Sequence, residues 1–170
     1  MRFWIGLEEA AADHRAAVAE AARAVESQEA GCWTIPRAEG KWSAAEIAQH
    51  LILSYAPPLA ELAGGTGFAI RLPWWKRAPL RWTVLPRILG GTFPKGAPAP
   101  REARPKGGPA DPEEAAKALR EAAANFERCL LEKCADRRVA LTHPYFGKLS
   151  APQMLKLCAV HVAHHRAQLS

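Results

Sequence analysis

The 170-residue sequence predicts an all-α fold: a four-helix bundle running up-down-down-up, with a long crossover between its second and third helices. Three observations carry that expectation. Four stretches place apolar residues at helical spacing, and none alternates convincingly as a strand would. The starts of three of them carry residues that cap helices. Residues 64–110 separate the second stretch from the third, whereas helices packed side by side are usually joined by roughly 2–8 residues.

The first helix is expected over residues 7–28, where Leu7, Ala11, His14, Val18, Ala21 or Ala22, and Val25 recur on one face. Its stripe is mostly alanine, which permits close packing but gives little burial per turn. His14 lies on the stripe and reads as a partly exposed helical histidine. The loop 29–42 brings in Trp33 and Trp42, two aromatics that pack the end of a core or wall a pocket. Ser43-Ala44-Ala45-Glu46 is a capping box that opens the second helix. Ile47, His50, Leu51, Ser54 and Pro58 share its inward face, and Pro57-Pro58 must kink or end it near Ala56. In the crossover, part of Trp74 to Leu89 is expected to be helical, interrupted by Pro79 and Pro86, with Trp75, Trp82, Leu85 and Leu89 roughly on one side. Such a piece could lie on a membrane surface or cover the bundle as a lid. Thr92–Pro109 reads as an extended strap. Asp111-Pro112 caps and starts the third helix, whose stripe is Ala115, Leu119, Ala122 or Ala123, Phe126, Leu130 and Cys134. After the loop 141–149, Ser150-Ala151-Pro152-Gln153 opens the fourth helix as a second capping box.

The histidines give this bundle a direction. His161 and His165 stack one turn apart in the middle of the apolar face formed by Met154, Cys158, Val162 and Leu169, and His164 sits on its shoulder. Two buried imidazoles on adjacent turns would each need a buried partner, or they can close on one metal ion. His50, the third inward histidine, is a candidate third ligand. It lies about 10 Å into its helix, whereas His161 and His165 lie roughly 16–22 Å into theirs. The three meet at one level when the second and fourth helices run antiparallel. That is the up-down-down-up order, and it requires a long crossover between the second and third helices. The same order puts Trp33 and Trp42 at the metal end as candidate pocket walls, together with His164 and Gln168. It puts His143 at the far end, outside the metal set, as a loop-packing residue.

Composition narrows the class. The length suits one domain, 1–170, with a core of its own. No apolar run is long enough for a transmembrane segment. The N-terminus turns acidic too early for a signal peptide. Four cysteines without a Cys-x-x-Cys motif fit buried free thiols and a cytoplasmic setting. The net charge of +6 is local: residues 64–110 hold nine basic residues and one acid, so this segment carries +8 and the remainder −2. Charge riding on a Pro/Gly-rich connection is not the folded basic stripe of a nucleic-acid binder, and none is expected as partner.

Three motifs resemble the DinB-like (DinB/YfiT-like) metalloenzyme superfamily. They are Gly40-Lys41-Trp42-Ser43-Ala44-Ala45-Glu46-Ile47-Ala48-Gln49-His50-Leu51, His143-Pro144-Tyr145-Phe146-Gly147-Lys148-Leu149-Ser150, and His161-Val162-Ala163-His164-His165-Arg166-Ala167-Gln168. The resemblance covers the chain outside the crossover. It implies the same up-down-down-up bundle, with the metal triad on His50, His161 and His165. The Pro57-Pro58 interruption and the size of the basic crossover depart from a minimal member.

Three neutral histidines without a carboxylate leave coordination positions open, the pattern of a catalytic site, and suit zinc or nickel. Such a site can activate water for hydrolysis or hold a small thiol as its thiolate. The resemblance points to the thiol, since members include transferases and isomerases that use low-molecular-weight thiols. Arg77 or Arg81 would then meet an anionic thiol or substrate. The expectation is a metal-dependent thiol S-transferase or hydrolase acting on a small molecule, with a homodimer interface available on the alanine-rich first helix. The alternative is a non-catalytic binding or membrane-surface module that works through the Trp/Arg-rich crossover.

Overall fold

The computed structural model describes residues 6–94, 96, 98–136 and 138–169. The first five residues, which enter the signal-peptide reading, lie outside that range. The four long stretches are helices. α1 runs Leu7–Glu26, α2 Ala44–Leu53, α3 Ala56–Leu62, α4 Trp74–Thr83, α5 Leu85–Leu89, α6 Pro112–Asp136 and α7 Ala151–Arg166. The bundle is built from α1, the pair α2 and α3, α6 and α7.

Its direction can be read from one end. A buried cluster there joins Ala22 and Val25 at the close of α1, Ala44, Ala45, Ile47 and Ala48 at the opening of α2, Ala115 and Ala116 at the opening of α6, and Leu169 just past α7. Hence α1 and α7 run toward this end while α2 and α6 run away from it, the up-down-down-up order. Trp33 closes the cluster, and its Nε1–H donates to the Pro109 carbonyl at 2.9 Å. The larger core fills the rest of the bundle, where Leu51, Leu119, Phe126, Leu130, Leu155 and Val162 are essentially inaccessible. Each such side chain contributes about 1.5–3 kcal/mol by leaving water.

Helix starts follow the sequence signals. Ser43 and Glu46 form a complete capping box. Asp111 Oδ1 accepts the Glu114 N–H at 2.8 Å, and Gln153 Oε1 accepts the Ser150 N–H at 3.1 Å. Pro57-Pro58 interrupts the second helix as expected, and α2 ends at Leu53. The chain breaks at Ser54-Tyr55 and restarts as α3, where the prolines occupy the first turn and need no donor.

Four features depart from the sequence reading. Residues 141–149 are a hairpin rather than a loop: β1, Ala140–His143, pairs antiparallel with β2, Gly147–Ser150, setting Leu141 opposite Leu149 with both buried. Four residues are too few for alternation to show, and Gly147, at φ +72°, supplies the turn. His14 is buried, not partly exposed. Its Nδ1–H donates to Glu127 Oε2 at 2.9 Å and its Nε2 accepts from the Tyr55 hydroxyl at 2.8 Å, while Arg15 closes on the other Glu127 oxygen. Trp75 and Trp82 do not share a side with Leu85 and Leu89. The chain turns at Val84 into a separate helix, so the two leucines face the core and the two indoles face out. The free cysteines are not all buried; Cys32 is exposed on its loop and the other three are half-buried.

The crossover is stitched to the bundle along its length. The Arg71 N–H donates to the Pro144 carbonyl at 2.9 Å, the Tyr145 hydroxyl to Pro98 at 3.0 Å, and the Lys106 N–H to Gln49 Oε1 at 2.6 Å. Gly108 presses so closely on α2 that a Cβ there would meet Ala45 Cβ at 2.6 Å and its carbonyl oxygen at 2.7 Å.

Candidate metal centre

Antiparallel α2 and α7 bring His50, His161 and His165 together. One ring nitrogen from each lies within 4.8 Å of the other two. His50 Nε2 and His161 Nε2 are 3.0 Å apart, and the three rings meet edge to face with centroids 4.7–5.0 Å apart. The direction of two rings is set from behind. The His50 Nδ1–H donates to the Ala103 carbonyl at 2.6 Å, and the His165 Nδ1–H donates to Gln168 Oε1 at 3.1 Å. Each bond places the proton on Nδ1 and leaves the Nε2 lone pair pointing into the cluster. Gln168 is held in turn, its amide donating to His164 Nε2 at 3.0 Å.

The cluster is poised to be neutral. Burial pushes His165 down to about 3, the repulsion that a protonated His50 would exert adds to this, and the Gln168 hydrogen bond opposes it. Burial also holds His161 well below the ordinary histidine range, reinforced by the neighbouring His165, His50, His143 and His164. Burial lowers His50 too, against the pull of the Ala103 carbonyl. Three neutral imidazoles with converging lone pairs fit a divalent transition metal and leave positions for other ligands.

The triad opens into a cavity of about 1040 Å³ whose walls are mainly apolar, among them Phe68, Leu80, Val84, Ile88, Phe93, Met154 and Leu157. It follows α7 from Met154 to His165, roughly 16 Å at the helical rise. Trp42 stacks on His165 and tilts over His50, with centroids 6.1 and 4.9 Å away. Phe93, from the crossover, covers His161 and His164 at 5.3 and 4.9 Å. Arg37 and Lys41 stand among the lining residues, and no carboxylate does among the described ones. Cys158 also lines the cavity, but burial pushes its thiol up to about 12, so it stays protonated.

Of the residues the sequence singles out, Trp42, His164 and Gln168 line this cavity with the triad. Trp33 does not; its ring is committed to the core at the bundle's end. Arg77 and Arg81 are also elsewhere. Arg81 donates to the Phe146 and Lys148 carbonyls at 3.0 and 2.7 Å and so pins the hairpin, while Arg77 lies against Gly147. His143 is outside the triad, as expected, yet it is not remote: the cavity is long enough to reach it. It stacks on Phe146 at 4.6 Å, its Nδ1 accepts the Tyr145 N–H at 3.2 Å, and burial pushes it down to about 3. Two contributors escape a reading of side-chain patterns. The Ala103 carbonyl is backbone and leaves no signal in residue type. Phe93 has one, a lone aromatic amid prolines and glycines, which points to a surface it must cover.

The sequence profile of the DinB superfamily matches residues 10–169. The chain belongs to the DinB superfamily. A solved structure supports the fold: YfiT from Bacillus subtilis, described as a probable metal-dependent hydrolase with an unusual four-helix bundle topology, superposes with a TM-score of 0.60 at 16% identity. The match covers 99% of this chain and 88% of YfiT. No curated protein matches the sequence. In this DinB-superfamily chain, no helix among the described residues is long and apolar enough to cross a membrane.

Proposed function

We propose that this DinB-superfamily protein is a metal-dependent enzyme that transfers a low-molecular-weight thiol to, or hydrolyses, an elongated and largely apolar small molecule. The observation that carries the proposal is the convergence of three neutral imidazoles, two oriented from behind, at one end of an apolar cavity. His50, His161 and His165 would hold a divalent ion, with zinc or nickel suited to the imidazole set. When bound, such an ion lowers the pKa of a water or a small thiol and so supplies the nucleophile.

The remaining roles fall to the chain. Trp42 and Phe93 shield the triad on two sides and keep bulk water from the reacting atoms. The wall from Met154 to Ile88 takes the apolar body of the substrate. Lys41 and Arg37, whose guanidinium also donates to the Leu169 carbonyl, give the lining positive charge, which suits the carboxylate of an acidic thiol or substrate. His143, with its Nδ1 engaged by Tyr145, carries its proton on Nε2 and remains a neutral donor. The description of YfiT as a probable metal-dependent hydrolase keeps hydrolysis as the second reading.

Metal content measured by mass spectrometry, beside His50→Ala and His165→Ala, tests the reading. Near-stoichiometric zinc or nickel, absent from both variants, supports it and justifies assaying thiol and electrophile pairs against ester and amide substrates. Protein that purifies metal-free and takes up no added metal, with both variants folded like the wild type, overturns it.

A further inference from the structure

The crossover holds a surface that the metal centre does not explain. At about 100° per residue, Trp74, Ala78 and Trp82 of α4 lie one turn apart along one line, with Trp75 and Pro79 beside them. The opposite side of α4 is occupied: Leu80 and, just past the helix, Val84 line the cavity, Arg77 lies against Gly147, and Arg81 at the edge of that side donates to the hairpin carbonyls. The tryptophan arc therefore cannot turn inward. Trp74 is 73% exposed, Trp75 57% and Trp82 82%, and Ile70 just ahead of the helix is 50% exposed. From the surface an indole ordinarily carries, the three rings leave roughly 500 Å² of aromatic surface in water. A patch that size matches the largest that monomers ordinarily expose, and such patches are often functional.

The charge around it selects the partner. Residues 64–110 carry +8, and Glu102, the one acid, is spent on Arg71 at 2.8 Å. Lys76 lies 5.0 Å over the Trp75 ring, and Arg87 follows on α5, both exposed. Indoles backed by lysine and arginine are the composition of a helix lying in a bilayer interface, with rings at headgroup depth and cations against anionic lipid. A second copy of this chain suits the face less well. It would meet the same positive charge, and roughly 500 Å² falls short of the roughly 800 Å² per partner of a stable dimer.

We propose that the outer face of α4 docks the protein on an anionic membrane surface. The docking is peripheral, through Trp74, Trp75 and Trp82, with Lys76 and Arg87 supplying electrostatic attraction. Because Leu80 on the same helix and Val84 at its end wall the cavity, docking would set the cavity beside the bilayer.

Co-sedimentation of the full chain with vesicles tests this, using phosphatidylcholine alone and phosphatidylcholine with one third phosphatidylglycerol, at low and high salt. The expected result is binding to the anionic vesicles only, weakened by salt, with a blue shift of tryptophan emission. Combined Trp74→Ser, Trp75→Ser and Trp82→Ser should lower partitioning at least tenfold and abolish the shift. Lys76→Gln with Arg87→Gln should lower it about 30-fold, at about 1 kcal/mol per cation near an anionic surface. These residues are exposed, so unchanged far-UV circular dichroism and metal content confirm that the fold and triad are intact. The proposal is overturned if the wild type does not pellet with anionic vesicles at low salt, or if the tryptophan variant pellets as well as the wild type. It is equally overturned if light scattering finds tryptophan-dependent dimers and no vesicle binding.

Discussion

Replacing Gln168 tests whether the triad is oriented for a metal or merely packed. Gln168→Ala removes the acceptor of the His165 Nδ1–H, a bond of 3.1 Å, without touching a ligating nitrogen. The ring could then rotate or shift its proton to Nε2, the atom the site needs free. Loss of such a supporting bond lowers metal affinity about 10–100-fold. Gln168 is exposed near the end of α7, so water can take over as acceptor, and the lower end is expected: about tenfold, or about 1.4 kcal/mol. Gln168→Glu keeps an acceptor and makes the imidazole more basic, so its affinity should equal or exceed wild type. His164→Ala leaves the His165 bond in place and should change affinity less than about threefold. Competition against a chromogenic chelator with zinc or nickel at pH 7 measures all three, and thermal melts confirm that the fold is retained. If Gln168→Ala and Gln168→Glu both bind within twofold of wild type, the reasoning about orientation from behind is refuted.

Three further outcomes are expected. His143 sits near 3 in the folded protein against an ordinary 6.5, so between these values the unfolded chain binds a proton that the folded chain refuses. Stability therefore falls as pH drops from 6.5 toward 3, by at most about 1.4 kcal/mol per pH unit from this group, and His143→Phe should lose less melting temperature between pH 7 and 5 than wild type does. Burial raises Glu127, but hydrogen bonds from His14 and Arg15 and their charges outweigh it and hold the carboxylate below 4.5. Its contribution is present above 4.5 and lost as pH falls through the folded value, so Glu127→Gln should cost about 1–3 kcal/mol in urea unfolding at pH 7 and progressively less below pH 4.5. Gly108→Ala places a methyl against Ala45 and should destabilise by about 1–3 kcal/mol in the same assay, whereas an unchanged midpoint would show that the crossover yields freely.

The bundle was legible in the sequence because each helix announces itself twice, by a 3.6-residue stripe and by a cap. Ser43 with Glu46, Asp111 with Pro112 and Ser150 with Gln153 all perform as their types suggest. The direction of the chain followed from depth along helices and from the long crossover: three histidines share a level most easily when the second and fourth helices run antiparallel. What escaped was set by partners distant in sequence. His14 looked like a surface histidine because its neighbours on α1 are alanines; its burial depends on Glu127 and Tyr55, from α6 and the α2–α3 break. A glutamate amid the charged residues of α6 gives no sign that it is the one turned inward. The hairpin was missed because Leu141 and Leu149 form a pair only across the turn at Gly147.

The crossover was the hardest segment to read because two opposite surfaces share one short helix. Apolar residues on both sides of α4 blur its period, and the sequence offered a membrane-facing piece and a lid as alternatives. The structure shows a helix whose inner residue Leu80, with Val84 at its end, closes the cavity while its indoles remain outside. The same segment carries Phe93 onto the triad and the Ala103 carbonyl to His50 Nδ1. A minimal bundle could supply the three histidines without this insertion. It could not supply their cover, the hydrogen bond behind His50, or an outward aromatic face. The crossover is thus the part of the chain that converts a histidine cluster into an enclosed site, and its sequence is where specificity within this fold should be sought.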